Sequence, residues 1–579
     1  MTTPASEKST NPGAQDEKNE MTQRSSPTSE PEKTIGDNPK ILEVLNADFA
    51  LALSTGPQLR ATSLASIQLF MILLVAFMGS LSNGFDGSVM SAVNGMHQYL
   101  DYFGIDGLDS GGGVGTVTAI IFGIKYNLSI LGSLAGVVIA GPVADHFGRR
   151  RGMFLGSVII VVGAIVVTVA KNTHYLLGGR FVLGFGVAIT TTAAPAYVVE
   201  MSPPQWRGRL TGLPPFESLA TSYLCALFIA FYYSGSILCT GITIATGRIE
   251  SSVSWRAPLA IQIAPAGILA IFSWFLPESP RWLLSVGQKD EARKILAKYH
   301  GNGDENAPLV LLEWKEFEEA IRLDASDKRW WDYSELVNTR NARYRTFMML
   351  LMGFFGQWSG NGLGYFLTIL FNNAGVQSQD KRLTLNFANT IISAGGALVG
   401  TSLTDKVGRR TMWFWGTLAS AATLAIVTGC TAKFGSNGAN PTGANAAIAF
   451  IFIFGFVYSL AYTPLQALYP AECLDYNTRA KGMAVYAFAV NCASFVNTYA
   501  GPIGLKNIQW RYYIVYVVWD LFECMVIWFC AVETKGRTLE ELDEIFEDRH
   551  PVRASLAKRK VAIVEKADGA VVLDVGLGV

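Results

Sequence analysis

Charge is spread along this chain so unevenly that most of the chain has no plausible water-facing surface. It holds 46 Lys and Arg and 46 Asp and Glu in 579 residues. Roughly 58 of these lie in residues 1–60, 277–345 and 533–579, leaving about 8% charged elsewhere, against about 25% for a soluble domain. A surface so poor in charge must face something apolar. Hydrophobic residues make up 50% of the chain. Twelve segments approach the roughly 20 apolar residues that a membrane helix needs: 67–91, 119–142, 153–171, 176–199, 212–234, 257–276, 346–371, 386–404, 411–430, 446–468, 482–504 and 511–532. The expected fold is an all-α membrane protein of twelve transmembrane helices in two six-helix bundles. Residues 61–276 and 346–532 form the bundles. Residues 277–345 form a helical linker, with helices expected over Asp290–His300 and Leu311–Leu323. Residues 1–60, rich in Ser, Thr, Pro, Glu and Lys, read as a disordered tail without a signal-peptide core. Residues 533–579 form a second tail with an acidic amphipathic segment at Leu539–Phe546.

The same composition excludes several functions. Net charge is zero, with no basic patch for nucleic acid. Seven cysteines and five histidines show no metal spacing, so no metal or cofactor is expected. Neither a nucleophile–base constellation nor a nucleotide loop is present, and the Gly111–Gly115 cluster falls in a loop. The chain does not read as an enzyme.

Lys and Arg in short loops set orientation. Arg149–Arg151, Arg207 with Arg209, and Lys406 with Arg409 and Arg410 follow even-numbered segments. Asp101, Asp106 and Asp109 follow the first. Even-numbered loops and both termini are therefore expected in the cytoplasm, with Lys381 and Arg382 a local exception. The sequon at Asn127 falls inside the second segment and is expected to be unused.

The chain also repeats itself. Asp145-His-Phe-Gly148-Arg149-Arg150 returns as Asp405-Lys-Val-Gly408-Arg409-Arg410. Tyr197-Val-Val-Glu200 with Arg207 returns as Tyr469-Pro-Ala-Glu472 with Arg479. Glu278-Ser-Pro-Arg281 is echoed by Glu533-Thr-Lys-Gly-Arg537. Two homologous halves of this kind belong to transporters that rock around a midplane site.

With Gly84-Phe-Asp86-Gly87 and Gly179-Arg180-Phe181, these motifs resemble the sugar porter branch of the major facilitator superfamily, over about residues 67–547. Gly356-Gln357-Trp358 and Thr478-Arg479-Ala-Lys481-Gly look most like its fungal lactose- and cellodextrin-permease-like members. The resemblance implies a monomer in the plasma membrane that moves a sugar, with protons where the Asp of the first helix is present.

Asp86 and Arg180 are charged residues in apolar segments, and such residues are functional candidates by default. An ionised pair that protonation of Asp86 would release couples proton binding to conformation. Asp145, Arg149, Glu200 and Arg207, with Asp405, Arg409, Glu472 and Arg479, form a candidate cytoplasmic gate. Its arginines are expected to reach acidic groups of the neighbouring bundle. Sugar binding needs hydrogen-bonding groups and aromatic faces around a cavity. Gln357, Trp358, Asn361 and Tyr365 supply them in the glycine-rich seventh segment. Asn386, with Asn389, supplies them in the eighth, Tyr462 and Gln466, with Tyr458, in the tenth, and Asn491 in the eleventh. Lys125, Glu217, Asp520 and Glu523 have no assigned role.

Departures from the family pattern bear on the cargo. Ser222 stands at the fifth-segment glutamine of hexose carriers, and Ala467 and Asn491 stand at their two tryptophans. A roomier pocket follows, and with it a disaccharide. A polyol, a quinate-like acid or a secondary metabolite is the alternative. A non-transporting sugar sensor is disfavoured by the short tail after residue 532.

Overall fold

A computed structural model describes residues 63–104, 136, 139–141, 143, 144, 146–203, 218–324, 333–434, 441–474, 478–535, 539–556, 560–566 and 569–575. The expectations for the first tail, Lys125, Asn127, Glu217 and the Ser222 side chain lie outside the described residues, as does nearly all of the second segment.

The first half of the chain supplies α1 (Leu64–Val93), α2 (Arg149–Thr168), α3 (Thr173–Met201), α4 (Ser218–Thr246), α5 (Val253–Ile261) and α6 (Ile263–Ser273). The linker forms α7 (Lys289–His300) and α8 (Pro308–Asp324). The second half supplies α9 (Arg340–Trp358), α10 (Asn361–Gly364), α11 (Leu367–Asn373), α12 (Gln379–Val407), α13 (Arg409–Phe434), α14 (Pro441–Cys473), α15 (Arg479–Asn507) and α16 (Tyr512–Cys530). An amphipathic helix, α17 (Leu539–Glu547), follows in the tail. The antiparallel hairpin of β1 (Lys560–Lys566) and β2 (Gly569–Val575) was not expected from the sequence.

Nine helices among the described residues are long and apolar enough to cross a membrane. The shortfall from twelve has local causes. The second segment is mostly undescribed. The seventh is broken into α9, α10 and α11. The eleventh, α15, carries Asn491, Ser494, Asn497 and Thr498, which lower its hydropathy. The sixth is also interrupted, at Gln262 between Pro258 and Pro265. Each proline removes a backbone donor and crowds the preceding turn.

Large apolar side chains point outward, as a lipid-facing belt requires. Phe275, Ile271, Trp415, Val518 and Phe529 are all more than half exposed. Inside, packing repeats between the halves. α2 packs on α3 as α13 does on α14, α1 on α4 as α9 on α15, and α2 on α6 as α13 on α16. The halves meet chiefly where α12 packs on α4 and α11 approaches α1.

The linker docks beneath the first half. His300 is buried, its Nδ1 2.5 Å from Glu313 Oε2 and its Nε2 3.2 Å from the carbonyl of Met201, the last residue of α3. Beneath the second half, α17 is held by an ion pair from Asp543 to Arg345, whose guanidinium lies 4.6 Å from the Phe546 ring.

Gly148 and Gly408 open α2 and α13 with φ/ψ of 94°/162° and 100°/153°. That region is open essentially to glycine alone. A Cβ there would also meet Glu278 Oε2 at 2.7 Å and Glu533 Oε2 at 2.6 Å. Both effects predict that Gly148→Ala and Gly408→Ala each destabilise the purified chain by about 1–3 kcal/mol, measurable as a lowered midpoint in thermal unfolding.

Candidate functional site

Asp86 lies on α1 and Arg180 on α3, each in an otherwise apolar stretch. The fold brings them together: Arg180 Nη1 donates to Asp86 Oδ1 at 2.5 Å. Gln262, at the break between α5 and α6, donates from Nε2 to the same oxygen at 2.8 Å. Arg180 and Gln262 are almost fully buried, and Asp86 slightly less so. An exposed pair of this kind would contribute little, whereas here most solvent screening is gone. Sequence reading missed Gln262. Its signal was a lone amide in an apolar segment flanked by two prolines.

One residue beyond Asp86 begins the wall of a cavity of about 180 Å³ between the halves. Gly87, Ser88 and Ser91 line it from α1, and Tyr232, Tyr233, Ser236 and Thr240 from α4. The second half contributes Asn361 and Tyr365, Asn386 and Asn389 of α12, and Phe454 and Tyr458 of α14. Tyr233 OH crosses the cavity to donate to Ser459 Oγ at 3.0 Å. Asn389 Oδ1 is buried and has no hydrogen-bond partner among the described residues, leaving an acceptor for a ligand hydroxyl. Polar groups and aromatic faces thus converge on one small space.

Three of the eight expected binding residues, Asn361, Tyr365 and Asn386, line this cavity. Five do not. Gln357 accepts from Asn361 Nδ2 at 3.0 Å and so positions a lining residue. Trp358 donates to the Ala493 carbonyl at 3.1 Å and packs edge-on against Trp519. Tyr462 is buried with Ser359, Thr417 and Glu523. Gln466 donates to the Gly356 carbonyl and to Tyr458 OH. Asn491 donates to the Ala487 carbonyl in its own helix at 2.9 Å. The division has a physical cause: Gly360, with φ of 92°, separates α9 from α10. Residues before and after it no longer follow one helical face. The polar residues of α4 were missed because a Tyr-Tyr-Ser run in an apolar helix resembles ordinary packing.

On the face opposite the linker, the halves are latched. Gln379 Nε2 donates to Gln98 Oε1 and to the Gly247 carbonyl, and its Oε1 accepts from the His97 backbone at 2.9 Å. Ser91 Oγ donates to the Gly364 carbonyl at 3.3 Å, and Thr368 Oγ1 to the Ser91 carbonyl at 3.1 Å. Arg248 pairs with Asp380 at 3.2 Å.

On the linker face, two matching networks appear. Arg149 Nε lies 3.1 Å from Glu200 Oε2, which also accepts from Ser279 Oγ at 2.5 Å. Arg409 grips Glu472 through both Nε and Nη2, at 3.1 and 3.0 Å, and Thr534 Oγ1 donates to the same carboxylate at 2.6 Å. Glu278 accepts from the Arg150 backbone and Glu533 from the Arg409 backbone. Burial pushes the Glu278 carboxyl above its ordinary range, opposed by the N–H groups of Arg150 and Ser279. These ion pairs close within each half, not across to the neighbouring one as the sequence suggested. Asp145 and Arg207, and the side chains of Asp405 and Arg479, lie outside the described residues.

Comparison with known proteins agrees with this arrangement. A family model described as "Sugar (and other) transporter" matches residues 72–546. The chain is similar to the MFS-type transporter criB of Aspergillus cristatus, 28% identical over 83% of this chain and 93% of that one. It is likewise 28% identical to a high-affinity glucose transporter of Kluyveromyces lactis, over 83% of this chain and 86% of that one. Among solved structures it resembles the proton:xylose symporter XylE bound to 6-bromo-6-deoxy-D-glucose. The TM-score is 0.64 at 20% identity, covering 83% of this chain and 99% of that one. A partially occluded inward-open form of the E. coli protein matches with the same TM-score, at 19% identity over 81% and 99% of the two chains.

The buried ion pair makes an asymmetric prediction. Arg180→Leu strands the Asp86 carboxylate and should cost about 3–5 kcal/mol, whereas adding Asp86→Asn to it should recover much of that loss. Thermal unfolding of the two single variants and the double variant measures the coupling.

Proposed function

Because the chain belongs to the sugar transporter family of the major facilitator superfamily, we propose that it imports a sugar together with a proton. The sugar occupies the cavity between the halves, and Asp86 carries the proton. The observation behind this reading is the placement of Asp86, bonded to Arg180 and Gln262 one residue from the cavity wall.

Protonation removes the charge that holds Arg180, and so frees α1 from α3 and from the α5–α6 break. Ser91, five residues further along α1, bonds Gly364 and Thr368 in the latch. Five residues of helix span about 7.5 Å. A proton on Asp86 therefore acts on the same rigid helix that lines the sugar site and closes one face. The halves, residues 61–276 and 346–532, rock about the cavity. The linker face, which carries Arg149–Arg151 and Arg409–Arg410, is cytoplasmic, as are both termini. On that reading the latched face is external, and the state described is closed to the outside. The Arg149–Glu200 and Arg409–Glu472 pairs brace each half, and Arg207 and Arg479 remain candidates for bridging between them. The site is complete within one copy, which suits a monomer in the plasma membrane.

The cavity favours a single sugar ring over the disaccharide suggested by the altered family positions. Its volume is about 180 Å³. Ala467 and Asn491, the positions that lack tryptophan, do not line it, so their small size adds no room there. Single-ring cargo also agrees with the glucose transporters among the relatives. Coupling to one charge is energetically sufficient: about 2.3 kcal/mol per 100 mV supports roughly fifty-fold accumulation.

Uptake of labelled glucose, xylose, cellobiose and lactose in transport-null yeast tests this, at acidic and neutral pH and with and without protonophore. Accumulation of a monosaccharide that collapses with protonophore is expected. Asp86→Asn should abolish accumulation yet retain sugar counterflow. Uptake that only equilibrates, indifferent to protonophore, would overturn proton coupling. Accumulation of a disaccharide alone would overturn the single-ring site. Asn361→Ala and Asn386→Ala should each weaken sugar binding about five- to tenfold, the equivalent of about 1 kcal/mol, while Asn491→Ala leaves it unchanged.

A further inference from the structure

The second half holds two carboxyl groups that the mechanism above does not use. Asp520 and Glu523 lie three residues apart on α16, on one helical face. Both are fully buried, while Val518, Leu521, Phe522 and Met525 of the same helix are exposed toward lipid. Glu523 Oε2 accepts from Ser359 Oγ and, at 3.1 Å, from Tyr462 OH. Both Asp520 oxygens have no hydrogen-bond partner among the described residues, and Trp519 of the same helix faces Glu523. The groups facing the pair are Ser359 at the end of α9, Thr417 of α13, Tyr462 of α14, and Tyr516, Trp519 and Cys524 of α16 itself. Tyr462, Tyr516 and Cys524 are the titratable groups in that set. Neither acid makes an ion pair with a lysine, arginine or histidine among the described residues.

Two bare carboxylates side by side in a low-dielectric interior are prohibitively costly. The hydrogen count points the same way. Ser359, Thr417 and Tyr462 each bring one hydroxyl hydrogen. Ser359 faces Glu523 and, at 2.6 Å, Tyr462. Thr417 faces both the Trp413 carbonyl at 2.9 Å and Tyr462 at 2.7 Å, and Tyr462 faces Glu523 as well. Three hydrogens cannot serve all of these bonds. A proton on Glu523 adds a fourth, enough for four of the five contacts.

We propose that Asp520 and Glu523 form a second proton-binding site, separate from Asp86, which controls the break between α9 and α10. Ser359 is the last residue before Gly360, whose left-handed backbone makes that break. Asn361, the next residue, lines the cavity. With protons held, the acids, Tyr462 and Ser359 form a neutral, closed cluster that fixes the break. When the protons leave to bulk water, the bare charge draws water into the seam between α9 and α16, and the break loosens.

The test needs neither sugar nor transport, so its failure is distinguishable from failure of the symport reading. Full-length protein in lipid nanodiscs is examined by infrared difference spectroscopy and by hydrogen–deuterium exchange over residues 355–366. A protonated-carboxyl band is expected in the wild-type chain and in Asp86→Asn, and its loss in Asp520→Asn and Glu523→Gln. Raising the pH should speed exchange at the break about tenfold beyond the intrinsic rate in wild type and Asp86→Asn, with no such effect in Glu523→Gln. Should Glu523→Gln fail to fold, Asp520→Asn carries the same comparison. An unchanged band in both acid variants, or a pH response that survives them, would overturn the proposal. So would restoration of slow exchange at high pH by sodium but not by N-methylglucamine, which would identify a metal cation as the ligand.

Discussion

A charge inside a bilayer must be cancelled where it stands, and this structure is organised around how each one is cancelled. Water is not at hand to solvate it, and salt does not reach it. Asp86 is neutralised by Arg180 and steadied by Gln262. Glu472 is neutralised by Arg409. Asp520 and Glu523 have no cationic partner among the described residues. The first solution gives a pair that one proton can undo, the second gives a brace, and the third leaves the acids dependent on protons. The same side-chain chemistry acquires three different uses from the presence and mobility of a partner.

The internal duplication separates architecture from function. The Gly–Arg–Arg turns, the glutamates that accept from their backbones, and the arginine–glutamate pairs occur twice with nearly the same geometry. Tyr197 OH donates to the Pro277 carbonyl just as Tyr469 OH donates to that of Val532. These repeated parts make each half rigid. Among the described residues, the parts that occur once are Asp86 with Arg180, the break at Gly360 and the acids of α16.

The sequence carried the architecture well and the cavity only partly. Charge depletion over about 400 residues follows from the bilayer itself, so segment count and halves were readable. Asp86 and Arg180 stood out for the same reason, as charges in apolar runs. The cavity was harder, because its walls depend on rotations that periodicity does not encode. Gln357 and Trp358 lie before the break at Gly360 and turn into the bundle, whereas Asn361 and Tyr365 lie after it and face the cavity. Tyr233 and Ser236 sit in a helix whose composition would suit packing equally well. Gln262 announces itself only once Asp86 is known to be opposite. The direction of the arginine–glutamate pairs was also out of reach, since sequence spacing does not say whether partners share a half.

The latch opposite the linker is built mostly from amides and backbone carbonyls. Gln98, Gln379 and Gly247 supply its centre, and its ion pair among the described residues, Arg248 with Asp380, is well exposed. Uncharged hydrogen bonds respond little to ionic strength, and an exposed ion pair is weak to begin with. The hold between the halves on that face is thereby nearly indifferent to ionic strength, so it would persist unchanged from dilute to concentrated salt.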